Sequence, residues 1–108
     1  IRMGVTILTL ESYNQIFDMN FGEMIVFLKF GADWCIPCIE LEKNMSSVPN
    51  SIIYHINIDN EDFEDFFIEN KIFTVPYTII KYKTFNTSFK GLKTTEELIN
   101  ATDTLIQL

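Results

Sequence analysis

The feature that most constrains the fold is a run of seven residues, 24–30 (MIVFLKF), in which only the sixth residue is charged. A run this short and this apolar is typical of a central strand that is buried on both faces of a sheet. The next three residues (GAD) break the run. The segment that follows, residues 34–38 (WCIPC), therefore begins just past the end of a buried strand.

The residues after this break have the pattern of an amphipathic helix. Leu41 and Met45 follow Cys38 at helical spacing, and the charged residues among them, including Glu42, are predicted to fill the solvent face. Pro37 fits only the first turn of such a helix, where a missing backbone N–H costs nothing. The C-x-x-C pair is thus predicted to lie at the N-terminus of the helix.

The remainder of the chain alternates strand-like and helix-like segments, which indicates an α/β fold in a single domain over residues 1–108. Further strands are predicted at 5–9, 51–58, 77–83 and 87–90, the last after a turn at Asn86. Helices are predicted around residues 13–17, after a cap at Asn60, and after a capping box at residues 94–97. The closing helix is predicted to present Leu98, Ile99, Leu105 and Ile106 on one side.

Charge and composition exclude several functions. The net charge is −7, with 15 acidic and 8 basic residues and no basic cluster, which argues against a nucleic-acid partner. No apolar run is long enough to span a bilayer. The chain starts at Ile1, so we expect a trimmed start or a tag remnant before Met3. We expect a cytoplasmic location, with removal of a targeting segment left open.

The two cysteines carry the chemistry that the sequence predicts. A two-residue gap at a helix start brings the sulfurs within bonding distance. The positive helix end should lower the pKa of Cys35, and the thiolate is the attacking form, whereas Cys38 lies one turn inward. The alternatives are a structural pair or half of a zinc site, but structural zinc takes four ligands. The only histidine, His55, is predicted to lie elsewhere on its strand.

These motifs, taken in order, resemble the thioredoxin family over essentially the whole chain. The matches are Phe30, Ala32, Trp34, Cys35, Pro37 and Cys38 in the active-site segment, residues 57–59 (NID) at a strand end, Val75-Pro76 in the cis-proline loop, and Gly91 after the last hairpin. The resemblance implies the thioredoxin fold, a central mixed sheet of four to five strands flanked by about four helices.

The resemblance also implies a thioredoxin-like protein-disulfide reductase whose redox-active center is a disulfide bond. Cys35 is the nucleophile, and Cys38 resolves the mixed disulfide. A cis Pro76 places the Val75 backbone opposite an extended substrate peptide. No cofactor or metal is expected beyond the disulfide itself. The expected partners are disulfide-containing proteins and a reductase such as a thioredoxin reductase, in electron transport and cell redox homeostasis.

Three side chains are implied to form the apolar rim of the docking surface: Trp34, Ile36 and Tyr77. Ile36 and Pro37 stand between the cysteines, where the family tunes redox potential and partner choice. Ile36 departs from the glycine that is common at this position, and the sign of its effect stays open.

The family's buried acidic residue is replaced here by Lys29, and its nearby lysine by His55. We hypothesise that Lys29 stabilises the Cys38 thiolate or relays its proton, which would make the protein less reducing than a typical thioredoxin. The alternatives are that Lys29 snorkels or pairs with a carboxylate such as Asp33. Two other functions stay open: an oxidase or isomerase variant, and a binding or assembly module in which the thiols are secondary.

Overall fold

The computed structural model describes residues 4–108, so the expectation about a trimmed start at Ile1 lies outside the described residues. A two-residue strand is followed by helix α1 and by the central strand. The elements in chain order are β1 (Val5–Thr6), α1 (Leu10–Asp18), β2 (Ile25–Gly31), α2 (Ile36–Met45), β3 (Ser51–Asn57), a 3-10 turn (Glu61–Phe63), α3 (Glu64–Glu69), β4 (Tyr77–Tyr82), β5 (Phe85–Lys90) and α4 (Thr95–Ile106).

The strands form one mixed sheet in the order β1-β3-β2-β4-β5. Strand β2 pairs in parallel with β3 and antiparallel with β4. All seven of its residues are buried, as the apolar run predicts for a strand covered on both faces. The predicted fold class, a mixed sheet flanked by helices, is confirmed. Within residues 4–108, no helix is both long and apolar enough to cross a membrane.

Alternate residues of β2 enter two separate cores. Phe27 packs with Leu41 of α2 and Leu98 of α4 on one side of the sheet. Leu28 and Phe30 pack on the other side, in a cluster that α1 and α3 complete with their aromatic residues. Because side chains alternate along a strand, residues 29 and 31 share the face of Phe27 and point toward α2. This alternation decides what lies beneath the cysteine pair.

The last hairpin differs from the sequence prediction. Asn86 lies inside β5, where it pairs with Lys81, and not in a turn. The chain reverses before Asn86, at Lys83 and Thr84, and Lys83 has a positive φ of 55°. Residue preferences favour asparagine in turns, whereas here a lysine has the left-handed conformation. Residue preferences alone therefore misplaced the turn.

The helix caps agree with the sequence, but one apolar position does not. The Asn60 side chain accepts a hydrogen bond from the Asp62 N–H, and Thr94 and Glu97 form both bonds of a capping box. Ile106 was predicted on the buried side of α4 and is 44% exposed, while Thr102 is buried. Leu105 in the same turn is buried in the core, so Ile106, one residue further along the helix, points away from it.

Candidate active site

The cysteine pair forms a disulfide at the start of α2, with the two Cα atoms 5.3 Å apart. Cys35 is the N-cap of the helix, and its Sγ accepts a hydrogen bond from the Cys38 N–H at 3.3 Å. Pro37 lies in the first turn, where its missing N–H leaves no bond unmade. A thiolate at Cys35 would therefore sit where the helix supplies both an N–H donor and its positive end.

The two sulfurs differ in access. Cys38 is fully buried, whereas Cys35 keeps 6% of its surface exposed. Ile58 and Val75 pack against the pair together with Ala32, and the Val75–Pro76 peptide bond is cis. Of the two sulfur-bearing residues, only Cys35 thus keeps any surface that another molecule can reach.

Two large apolar side chains beside the disulfide face solvent. Trp34 is 68% exposed and Ile36 is 78% exposed. The Trp34 ring is held by a hydrogen bond from its Nε1 to Asp59 Oδ2 at 3.2 Å. This hydrogen bond therefore holds an exposed indole beside the disulfide.

A buried cluster of charged groups lies beneath the disulfide. Lys29, 1% exposed, donates from Nζ to the Cys38 carbonyl oxygen at 3.1 Å and lies 3.1 Å from Glu42 Oε1. His55 Nδ1 is 4.0 Å from the same carboxylate oxygen. The Lys29 ammonium therefore joins the backbone of Cys38 to a carboxylate one helical turn further along α2.

Solved structures resemble this architecture, although no protein-family model and no curated protein sequence matches the chain significantly. Chloroplastic thioredoxin z matches with a TM-score of 0.79 at 16% identity, covering 99% of this chain and 96% of its own. Thioredoxin from Trypanosoma brucei brucei matches with a TM-score of 0.75 at 18% identity, covering 99% and 94%. The germline-specific thioredoxin Deadhead from Drosophila melanogaster matches with a TM-score of 0.68 at 23% identity, covering 94% and 98%.

This chain is a thioredoxin-fold protein. Likeness at these identities establishes the architecture, and the chemistry has to be argued from the site itself. The fold accounts for the position of the cysteine pair, since α2 begins just past the C-terminal end of the central strand β2. It does not account for the ion cluster below the pair, which depends on the side chains of this sequence.

Glu42 is one residue near the site whose predicted position is wrong. It was predicted on the solvent face of α2, yet only 5% of its surface is exposed. In this thioredoxin-fold protein Glu42 lies four residues after Cys38, so the two share a helix face. A lysine inside a buried strand also calls for a counter-charge. These two signals together would have found Glu42, whereas the apolar periodicity alone did not.

His55 and Gly31 also belong to the site. A Cβ added at Gly31 would lie 3.1 Å from Cys38 Sγ and 3.4 Å from His55 Cε1. The expectation that the strand places His55 elsewhere is therefore wrong, because β3 pairs residue 55 directly with Lys29. Among residues 4–108, no three His, Cys, Asp or Glu side chains lie together in a way that could hold a metal ion.

The structure does not bring Tyr77 to the rim. Its ring lies 6.1 Å from that of Phe30, in the core beneath α1 and α3. Burial, with a contribution from Tyr77, raises the pKa of Tyr13 in the same core. Residue 77 pairs with residue 30 across the sheet, so its side chain is on the face opposite to Cys38. In this thioredoxin-fold protein the exposed rim thus consists of Trp34 and Ile36 without Tyr77.

Proposed function

We propose that this protein is a thiol–disulfide oxidoreductase that reduces disulfides in other proteins. The observation that carries the proposal is the Cys35–Cys38 disulfide at the start of α2, with the Cys35 sulfur accepting the Cys38 N–H. A reversible bond between two cysteines, one reachable and one buried, stores and delivers two electrons. No cofactor is needed for this exchange.

The proposed reaction proceeds in two exchange steps. In the reduced protein the Cys35 thiolate attacks one sulfur of a substrate disulfide, that bond breaks, and the other substrate sulfur leaves as a thiolate. The Cys38 thiolate then attacks Cys35 Sγ in the mixed disulfide and releases the second substrate sulfur. Both substrate thiolates take protons from solvent, two electrons have passed to the substrate, and the protein holds its disulfide. To regenerate the dithiol, a thiolate of a reductase attacks Cys35 Sγ and breaks the Cys35–Cys38 bond. The second thiolate of the reductase then displaces Cys35, which leaves both cysteines reduced and a disulfide on the reductase.

The rim supports a protein substrate. Trp34 and Ile36 offer exposed apolar surface on either side of Cys35. Val75 packs against the cysteine cluster, so its backbone would be near enough to pair with an extended peptide as a neighbouring strand does. The identity of the reductase stays a prediction. A cytoplasmic location also stays a prediction, since one similar structure is that of a chloroplastic thioredoxin.

Insulin reduction in the presence of dithiothreitol tests the activity. We expect the wild type to accelerate precipitation of the insulin B chain over dithiothreitol alone. Cys35→Ser should abolish the acceleration. Cys38→Ser, reduced beforehand and then freed of dithiothreitol, should accumulate a mixed disulfide with insulin that mass spectrometry detects. Ser47→Ala, an exposed residue after α2, is a control that should behave as wild type. A wild type no faster than dithiothreitol would refute the reductase and leave the binding-module alternative.

The Lys29–Glu42 pair favours an addition to this proposal, namely that its charges set the reduction potential of the cysteine pair. The Lys29 ammonium lies one carbonyl away from Cys38 and favours a thiolate there, while the Glu42 carboxylate opposes it. Lys29→Met should therefore make the protein more reducing, and Glu42→Gln should make it less reducing. Each change is expected on the order of 30 mV, which corresponds to roughly 1.4 kcal/mol.

Equilibration of each variant with a glutathione buffer measures these potentials. Shifts of opposite sign are the expected result. Shifts of the same sign, or potentials equal to that of the wild type, would eliminate electrostatic tuning by this pair. A strongly raised wild-type potential would favour the oxidase or isomerase variant over the reductase.

A further inference from the structure

A groove near the disulfide is lined by both acidic and apolar residues. Asp59, Glu61 and Glu64 are its acidic residues, and Ile68 and Phe73 are two of its apolar ones. Its volume of about 420 Å³ falls within the range of ligand sites in proteins, about 300–1,000 Å³. We call these five residues, with Ile58 at the end nearest the cysteines, the acidic groove.

The acidic groove is continuous with the candidate active site at three points. Ile58 also packs against the cluster of Ala32 with the two cysteines. Asp59 accepts the hydrogen bond from Trp34. Phe73 lies two residues before Val75, which contacts the disulfide cluster. A polypeptide whose disulfide reaches Cys35 therefore has its neighbouring residues within reach of this groove.

The residues that line the acidic groove indicate the kind of ligand that it could bind. The three carboxylate residues are exposed, and none of the described residues that line the groove is lysine or arginine. Phe73 is 71% exposed and Ile68 is 59% exposed, large apolar side chains that a charged surface seldom leaves in water. A second copy of this chain is a poor occupant, because each copy carries a net charge of −7.

We propose that the acidic groove selects substrates: it binds a segment of the target protein that combines basic and apolar residues next to the target's disulfide. The lysine or arginine side chains lie against the carboxylates, and the apolar residue rests on Phe73. This inference rests on the proposed function and adds a substrate class to it. The charged part of the selectivity must weaken with salt, since the carboxylates are exposed and the Debye length falls to about 3 Å at 1 M.

The test compares two peptides that share one disulfide loop and one leucine and differ only in two flanking lysines or two flanking glutamates. We measure kcat/KM for each with the dithiothreitol-reduced protein, at low salt and at about 1 M salt. The lysine peptide should be reduced about 3- to 10-fold faster at low salt, the scale of two exposed ion pairs, and the ratio should approach one at high salt. A ratio near one at low salt would overturn the proposal.

Variants assign the preference to the groove. Glu61→Gln with Glu64→Gln should remove most of the preference for the lysine peptide. Glu96→Gln with Asp103→Asn, exposed residues of α4, makes the same change in net charge away from the groove and should keep the preference. Equal loss in both double variants would attribute the effect to net charge and overturn the groove assignment. Phe73→Ser should slow both peptides alike, and unchanged rates would remove the apolar part of the proposal.

A small neutral disulfide separates the two proposals. Reduction of 2-hydroxyethyl disulfide requires the cysteines but does not require the groove. If the wild type reduces it and shows no preference between the peptides, the groove proposal fails and the proposed function stands. If the wild type reduces none of the three substrates, the proposed function itself fails. Thermal unfolding of each variant, recorded alongside, shows that the compared proteins are folded.

Discussion

Replacing Lys29 with methionine should destabilise the protein severely. The Lys29 ammonium and the Glu42 carboxylate lie 3.1 Å apart, and the two side chains are only 2% and 7% exposed. Methionine fills a similar volume but leaves the carboxylate buried without the ammonium. Removing one partner of a buried ion pair costs about 3–5 kcal/mol, a third or more of the free energy of unfolding of many small domains.

The double variant Lys29→Met/Glu42→Met should be much less destabilised than either single variant. Two apolar side chains of matching volume remove both charges together, and such replacements are often neutral or stabilising by about 1–4 kcal/mol. The two single variants and the double variant form a thermodynamic cycle. We expect a coupling energy of several kcal/mol in favour of the pair.

Urea unfolding of the oxidised proteins at pH 7 measures each free energy of unfolding, and equal m-values would show that the transitions are comparable. Lys43→Met is the matched control, because Lys43 is an exposed lysine of α2 and its loss should change stability by less than about 0.5 kcal/mol. If Lys29→Met lies within about 1 kcal/mol of wild type, or if the double variant is as unstable as the two singles summed, the reasoning from burial and pairing is refuted.

Three further predictions concern local packing and capping. Gly31→Ala places a Cβ 3.1 Å from Cys38 Sγ and should destabilise the oxidised protein by about 1–3 kcal/mol in urea unfolding, and an unchanged midpoint would contradict this. A backbone hydrogen bond from Thr94 lowers the pKa of Glu97. The Glu97 carboxylate therefore stabilises the fold above the ordinary glutamate pKa, and this stabilisation is lost as the pH falls through the lowered pKa. Glu97→Gln should unfold more easily than wild type at pH 7 and equally easily at the acid end of a pH series. Leu98→Ala, at a fully buried position, should cost about 2–5 kcal/mol in the same assay, and a loss below 1 kcal/mol would show that the core closes over the gap.

The sequence predicted those parts of the fold that follow from local pattern. The apolar run before Gly31 identified the central strand, and Pro37 fixed the cysteines at a helix start because its ring fits only there. The hairpin turn was misplaced because Asn86 has turn chemistry, while pairing between the strands moved the reversal to Lys83.

For the candidate site, the sequence predicted the two cysteines but not the charged side chains buried beneath them. The identity of the reactive pair follows from spacing, which is a local property. The partner of Lys29 depends on which face of α2 meets β2 in space, and apolar periodicity placed Glu42 on the wrong face. The same limit applies to Tyr77, since only the register of β4 against β2 shows that its ring enters the far core.

A redox protein of this kind must keep its shape while its one covalent link is repeatedly opened. That link closes a very short loop, so chain entropy gives it little power to hold the helix in place. The Lys29 ammonium contacts α2 at two positions, the Cys38 carbonyl oxygen and the Glu42 carboxylate, and neither contact involves sulfur. The contacts that attach the helix to the sheet are thus different from the bond that carries the electrons, so opening the disulfide breaks neither of them.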